Sequence, residues 1–261
     1  MMVFILLPAY NEAQGLPVLM GRIAGAMKPL KMKFRVLVCD DGSRDGTGDI
    51  VRRSAKSFPV EVITHKINRG LGESSRDLFE RAAELASPED VIVRLDADDT
   101  QDPAFIPRLI QKLDAGFDVV IASRFQAGGG QTGVPKDRAF ISRVANLFMK
   151  TVFGVPGVRE FSSGFRAYRA GVIIRAVRVY GNNFVQLKGL GFTCTLEKLI
   201  KLHLLGARFT EVGAVLNYDR KQSASKMVSS ITTLGYMVMA VLYHWPWGGW
   251  KDQARKRTVR P

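Results

Sequence analysis

The stretch VIVRLDADDTQDP, residues 91–103, carries the change of character on which the fold reading turns. Val91, Ile92, Val93 and Leu95 make a short apolar run of the kind that forms a buried strand, and Asp96, Asp98, Asp99 and Asp102 then crowd into a few residues of loop. Carboxylates that close repel one another. They are tolerated when solvated, and they become useful when a hard cation such as Mg²⁺ or Mn²⁺ sits among them. The same residues also make an ordinary acidic turn before a helix, with Asp102 as N-cap and Pro103 at the first position. What the neighbouring loops carry separates the two readings.

Working outward, residues 3–7, 34–39 and 60–64 are further strand-length apolar runs, followed by helical spacing over 13–27, 49–58 and about 71–85. After the acids come a helix over 104–115 and a fifth strand over 118–122. This alternation predicts an α/β fold, a mainly parallel sheet flanked by helices in the Rossmann-like manner, with ligands bound beyond the carboxyl ends of the strands. Each polar, Gly-punctuated loop lies at such an end: PAYNE (8–12), DDGSRDGT (40–47), NRGLG (68–72) and DADDTQD (96–102). Side by side they make a nucleotide or phosphate site. A dinucleotide-binding domain is disfavoured, because PAYNE stands where GxGxxG would open the first helix.

The 261 residues suffice for one large domain, or a domain with an appendage. Lys and Arg number 38 against 24 Asp and Glu, and the resulting +14 favours an anionic partner: nucleic acid, a phospholipid surface or a phosphorylated small molecule. Cys39 and Cys194 are far apart and have no CxxC spacing, which suggests neither a disulfide framework nor a zinc site and fits a reducing cytoplasm. The N-terminal apolar run lacks a basic flank and stops at Pro8, so it reads as a strand and not as a signal peptide.

Beyond residue 122 the glycines at 128–130 and 133 suggest a mobile lid. A helix is expected over 137–153, with Arg138, Ser142 and Asn146 on one face. Glu160–Arg166 (EFSSGFR) reads as a polar turn, 196–205 as a helix and 208–217 as a strand.

PAYNE, DDGSRDGT, DAD (96–98), ASR (122–124), SSGFR (162–166) and YDRKQSASK (218–226) occur in this order over about 220 residues. The set resembles the inverting nucleotide-sugar glycosyltransferases of GT-A fold, glycosyltransferase family 2, and within them the dolichyl-phosphate and polyprenyl-phosphate mannose synthases. The resemblance implies a catalytic domain over 1–220, then an acceptor loop, a membrane-associating helix and a basic tail over 221–261. It assigns the nucleotide to Pro8, Tyr10, Glu12, Asp40 and Asp41, and Mg²⁺ or Mn²⁺ to Asp96 and Asp98. Gln101 is a further ligand candidate, one position later than in that branch, where Thr100 replaces the expected Gln. Donor pyrophosphate and acceptor phosphate fall to Arg124, Arg138, Ser142, Arg220, Ser225 and Lys226, and Asp98, Arg124, Arg138 and Arg220 are the implied catalytic residues. The chain departs from the pattern at Ala122 and Ser223, which replace glycines, and at Glu160, which replaces Asp.

The implied reaction moves a sugar of mannose or glucose type from a GDP- or UDP-sugar to a polyprenyl phosphate, with inversion. A phosphate monoester, with a second pKa of about 6, is already nucleophilic at neutral pH and needs no carboxylate base. A saccharide hydroxyl, the alternative acceptor, would need one. Residues 227–250 contain no Asp, Glu, Lys or Arg, and a basic tail follows. On a helix, Val228, Ile231, Leu234, Val238, Val241, Leu242 and Trp245 share a face from which Ser229, Thr232, Thr233, Tyr236 and His244 turn away. This favours a helix lying in the interface of an anionic membrane, on its cytoplasmic face, with Trp245, Trp247 and Trp250 among the headgroups. A spanning helix and a core-packing helix are the alternatives. A sugar nucleotidyltransferase would carry a Gly-rich basic loop after the first strand, and a nucleic-acid-binding protein would leave the acids unexplained; no nucleic-acid partner is expected.

Overall fold

The computed structural model describes residues 1–223, 229–245 and 249–258. In chain order the elements begin with β1 (Met2–Ala9), α1 (Leu16–Met27), β2 (Lys33–Asp40), α2 (Thr47–Ser54), β3 (Val60–Thr64), α3 (Leu71–Leu85), β4 (Val91–Arg94), α4 (Ile106–Asp114) and β5 (Val119–Ser123). They continue with β6 (Gly130–Thr132), α5 (Lys136–Phe153), β7 (Arg166–Arg169), α6 (Ala170–Tyr180), α7 (Thr193–Leu204), β8 (Phe209–Gly213), β9 (Val215–Asn217), α8 (Ser229–His244) and α9 (Trp250–Thr258).

The main sheet has the order β3-β2-β1-β4-β7-β5-β8. Every pairing in it is parallel except those of β7, which runs antiparallel between β4 and β5. The expected mainly parallel sheet between helices is therefore the observed one. Alternate residues of β1 feed two cores, as a strand buried on both faces requires: Val3, Ile5 and Leu7 pack with α1 and α4, whereas Phe4 and Leu6 pack with α3, α6 and α7. Each such Val, Leu or Ile stabilises by about 1.5–3 kcal/mol relative to exposure.

Three features depart from the sequence reading. Residues 166–169 (RAYR), of which the sequence reading places only Arg166, at the end of a polar turn, form β7; Arg166 is fully buried and donates to the carbonyls of Thr195 and Phe161 at 2.8 and 2.7 Å. A strand flanked by arginines hides its apolar alternation. The glycine-rich stretch is not a free lid, because Gly130–Thr132 pairs with β9 as β6 and a Cβ on Gly129 would lie 2.3 Å from the Ser123 carbonyl oxygen. Gly129 thus serves close backbone packing, whereas Gly128 and Gly130 face open space. The side of α8 that carries Thr232 and Tyr236 turns inward, Thr232 buried and Tyr236 half-buried, and Met239 and Tyr243 join the core with Trp250 of α9, whereas Thr233 and His244 are exposed and Val238 and Leu242 of the expected apolar face are half-buried. No helix among the described residues is long and apolar enough to cross a membrane.

Candidate active site

The site lies at the carboxyl ends of β1, β2 and β4, where the polar loops meet. The first two are laced together. Glu12 N–H donates to Thr47 Oγ1 at 2.9 Å, Asn11 N–H to Ser43 Oγ at 2.9 Å, and Arg44 N–H to Asn11 Oδ1 at 2.9 Å. Asp40 accepts from Ser43 N–H at 3.1 Å, and a Cβ on Gly48 would lie 2.2 Å from its other oxygen, so the glycine lets this acid approach α2. Asp41 accepts from the N–H groups of Arg69 and Gly70 at 2.9 and 2.8 Å, which fixes the NRGLG loop beside the other two. His65 is buried between Asp41 and Asp77, its Nδ1 and Nε2 at 2.6 and 2.9 Å from their oxygens. Cys39, 3.6 Å from His65, is pushed up to about 12 by burial and is inert as a nucleophile. Pro8 and Tyr10 are half-buried in the same floor, and Glu12 is buried.

The acid loop is held by cations on every side. Asp96 pairs with Arg94 at 2.6 Å, and the Gln101 side chain clasps it twice: Oε1 accepts from Asp96 N–H at 2.8 Å and Nε2 donates to Oδ2 at 2.6 Å. Arg94 has room because residue 164 is glycine; a Cβ there would lie 1.6 Å from Nη1. Asp98 accepts from the backbone and hydroxyl of Thr100 at 3.2 and 2.7 Å and is paired with Lys221. Burial pushes Asp98 up, but the Lys221 ammonium and the Thr100 bonds outweigh it and hold the carboxyl below the usual range. Burial works against the charge of Lys221, and Asp98 raises it above the ordinary lysine range. Asp99, in a left-handed conformation at φ 59°, turns to Arg22 of α1 at 2.5 Å. Asp102 accepts from Ala104 N–H as the expected cap and pairs with Arg22 and Arg220 at 2.7 and 3.2 Å.

Arg220 and Lys221 reach these acids because residues 215–223 cross the loop as a strap. Leu216 bridges Gln101, Asn217 N–H donates to the Thr100 carbonyl at 2.9 Å, and Ser223 Oγ donates to Glu12 at 3.0 Å. Gly133, at φ 69°, admits the strap, since a Cβ would lie 2.1 Å from Asp219. Arg138 touches it too, donating to Tyr218 Oη at 3.1 Å. Arg124 forms a separate knot: its guanidinium grips Glu160 at 2.9 and 2.7 Å and donates to Gln131, Ser142 and Ser162 at 3.0, 3.2 and 3.0 Å.

The structure thus gathers Glu12, Asp96, Asp98, Gln101 and Arg220, sets Arg138 on the edge of the strap, and joins Ser142 to Arg124. Ser225 and Lys226 lie outside the described residues, as do Val228 and Trp247. Lys221, Thr100 and Arg94 are the residues that sequence reasoning missed. Lys221 adjoins a chosen arginine, but its partner in space is not written in the motif. Among the described residues no three acid, His or Cys side chains converge as a metal cage. The donors on Asp96 and Asp98 are nevertheless hard oxygens, and a Mg²⁺ held by one or two carboxylates completes its octahedron with water and substrate phosphates, so the residues fit such an ion.

Comparison with known proteins gives a consistent picture. The family model for Glycosyl transferase family 2 matches residues 4–175. The chain is 34% identical over 65% of its length to the polyprenol monophosphomannose synthase of Mycolicibacterium smegmatis, spanning 62% of that relative. To the undecaprenyl-phosphate mannosyltransferase of Micrococcus luteus it is 32% identical, covering 88% of this chain and 89% of the relative. Among solved structures, glucosyl-3-phosphoglycerate synthase from Mycobacterium tuberculosis, in complex with Mn²⁺, UDP and glucosyl-3-phosphoglycerate, shares the fold with a TM-score of 0.56 at 17% identity, over 92% of this chain and 78% of that one.

Proposed function

Because the chain belongs to glycosyl transferase family 2 and is a glycosyltransferase of GT-A fold, we propose that it transfers a sugar of mannose or glucose type from a GDP- or UDP-sugar to a polyprenyl phosphate, with inversion, at an anionic membrane surface. One observation carries the reading: α5 bears both halves of an amphiphile's recognition. Arg138 and Ser142 turn to the strap and the Arg124 knot, while Phe140, Ile141, Val144, Leu147 and Phe148 stand 40–67% exposed on the outside. Beside it, Ile231, Leu234, Met237 and Val241 of α8 and Trp245 directly after it are 40–58% exposed. Such a pair of apolar faces suits a helix layer lying in the interface.

In this reading Pro8, Tyr10, Glu12, Asp40 and Asp41 hold the nucleotide, with Tyr10 offering a stacking face. Asp98, supported by Asp96 and with Gln101 as a further candidate, would hold Mg²⁺ or Mn²⁺; when bound, the ion neutralises the leaving diphosphate. Lys221 supplies positive charge to Asp98 until donor and ion arrive. Arg138 and Arg220, with Ser225 and Lys226, gather the acceptor and donor phosphates, and guanidinium forks suit those oxygens. Arg124 joins them by exchanging Ser142 or Gln131 for phosphate while keeping Glu160. The acceptor phosphate attacks without a protein base. This agrees with an acid loop whose carboxylates are all engaged by cations, since a hydroxyl acceptor would call for a carboxylate free to take its proton.

The test is incubation with labelled GDP- and UDP-sugars, Mg²⁺ or Mn²⁺, and a short polyprenyl phosphate. Label should enter the organic phase; label confined to a water-soluble polymer would establish the saccharide acceptor instead. Asp98→Ala should lower the rate about 100-fold or more, as for loss of a charge-stabilising group. A fully active variant would remove the metal assignment.

A further inference from the structure

A cleft of about 420 Å³ opens beside α5, lined by Phe125, Arg143, Asn146, Leu147, Lys150 and Arg159. Arg143, Lys150 and Arg159 are exposed and no acid lines the cleft. Asn146 is already spent, its side chain bonding the Arg159 carbonyl and the Phe161 N–H. Phe125 of the cleft lining also lies against the catalytic knot, its ring centroid 5.2 Å from the Arg124 guanidinium carbon.

Turning around α5 at about 100° per residue gives three strips in order. Arg138, Ser142 and Asn146 face the domain; Arg143 and Lys150, seven residues apart, come next; then follows the exposed apolar arc of Phe140, Ile141, Val144, Leu147 and Phe148. The basic strip therefore sits on the border between protein and apolar arc, where a phosphate would lie if acyl chains covered the arc.

We propose that this cleft binds the phosphodiester headgroup of an anionic membrane phospholipid, as a site distinct from the acceptor phosphate. Arg143, Lys150 and Arg159 engage the phosphate, Phe125 and Leu147 flank the glycerol, and the chains lie along Phe140, Val144 and Phe148. The inference rests on the membrane reading above and adds to it a defined lipid, whose binding orients α5 and brings the catalytic side of the same helix down to the bilayer.

The test is flotation of the full chain with phosphatidylcholine vesicles, with or without about 30% phosphatidylglycerol, at near-physiological salt, where charges beyond about 8 Å are screened. A triple variant, Arg143→Gln with Lys150→Gln and Arg159→Gln, should lose tenfold or more of its affinity for the anionic vesicles. A control that removes the same charge elsewhere, Lys28→Gln with Lys31→Gln and Lys33→Gln, should lose less than threefold. The single exposed change Arg143→Gln gives a smaller loss in the same direction and guards against misfolding of the triple, and Arg143→Lys restores binding. Equal losses in the two triples, or none in the cleft triple, overturn the inference. So does full competition by millimolar inorganic phosphate, which would mark a site for free anions. Transfer to a short polyprenyl phosphate in detergent is read in parallel. Cleft-dependent vesicle binding in a chain that labels no lipid acceptor would sink the acceptor reading and leave this one standing.

Discussion

At the scale of single residues, the Arg124–Glu160 pair decides what a mutation at this arginine can report. Glu160 is fully buried and holds the guanidinium in two places, and its carboxylate also accepts from Arg124 N–H at 3.2 Å and Ser162 Oγ at 2.6 Å. Removing the cation strands a buried carboxylate, which typically costs about 3–5 kcal/mol. Arg124→Ala should therefore lower the urea midpoint markedly as well as the transfer rate, and adding Glu160→Gln should restore much of the stability and none of the rate. An Arg124→Ala protein that unfolds like the parent would show that Glu160 finds its charge elsewhere. The motif ASR made Arg124 visible in the sequence, but its division between structure and catalysis was not, because Glu160, Ser142 and Ser162 come from 18 to 38 positions away.

At the scale of elements, α7 and α8 each read one way in sequence and pack another. Apolar spacing located α7, yet its Glu197, Lys198 and Lys201 are buried. Glu197 pairs with Lys201 and accepts from the N–H groups of Gln186 and Leu187, and Lys201 lies 4.4 Å over the Trp250 ring. Lys198 donates to Ser75 at 2.7 Å, and burial depresses it from 10.5 to about 8. Between pH 8 and 10.5 the unfolded chain thus binds more protons at this lysine than the folded one, so its contribution to stability rises with pH across that window. Lys198→Met should be more stable than the parent at pH 7, by about 1–3 kcal/mol after loss of the Ser75 bond, with the gap closing towards pH 10.5. Urea titrations at pH 7 and 10 check this; a gap independent of pH would refute it. For α8 the two-sided pattern was legible, and the structure leaves Ile231, Leu234 and Val241 of its apolar side exposed over a core-packed inner side. Leu234→Glu with Val241→Glu should abolish vesicle binding and leave the thermal midpoint within a few degrees, because exposed positions change stability little. Retained flotation would remove α8 from the membrane face.

At the scale of the whole molecule, the net charge of +14 and the adjoining apolar faces of α5 and α8 predict membrane binding that responds to salt. Affinity for anionic vesicles should fall steeply between about 50 and 500 mM NaCl, while a residual apolar component to neutral vesicles persists. Flotation across that series measures both; salt-independent binding would show that charge plays no part. The sequence by itself determined the alternation of strands and helices, the doubly covered sheet and the polar loops at its carboxyl ends. Those are properties of local periodicity and turn chemistry, carried by neighbours along the chain. Only the tertiary structure decided that β7 enters antiparallel between β4 and β5, that the strap lies across the acids, and that Lys221 meets Asp98 from 123 positions away. Such pairings depend on which surfaces remain once the sheet is covered, and a charge in the sequence does not say which opposite charge it will reach.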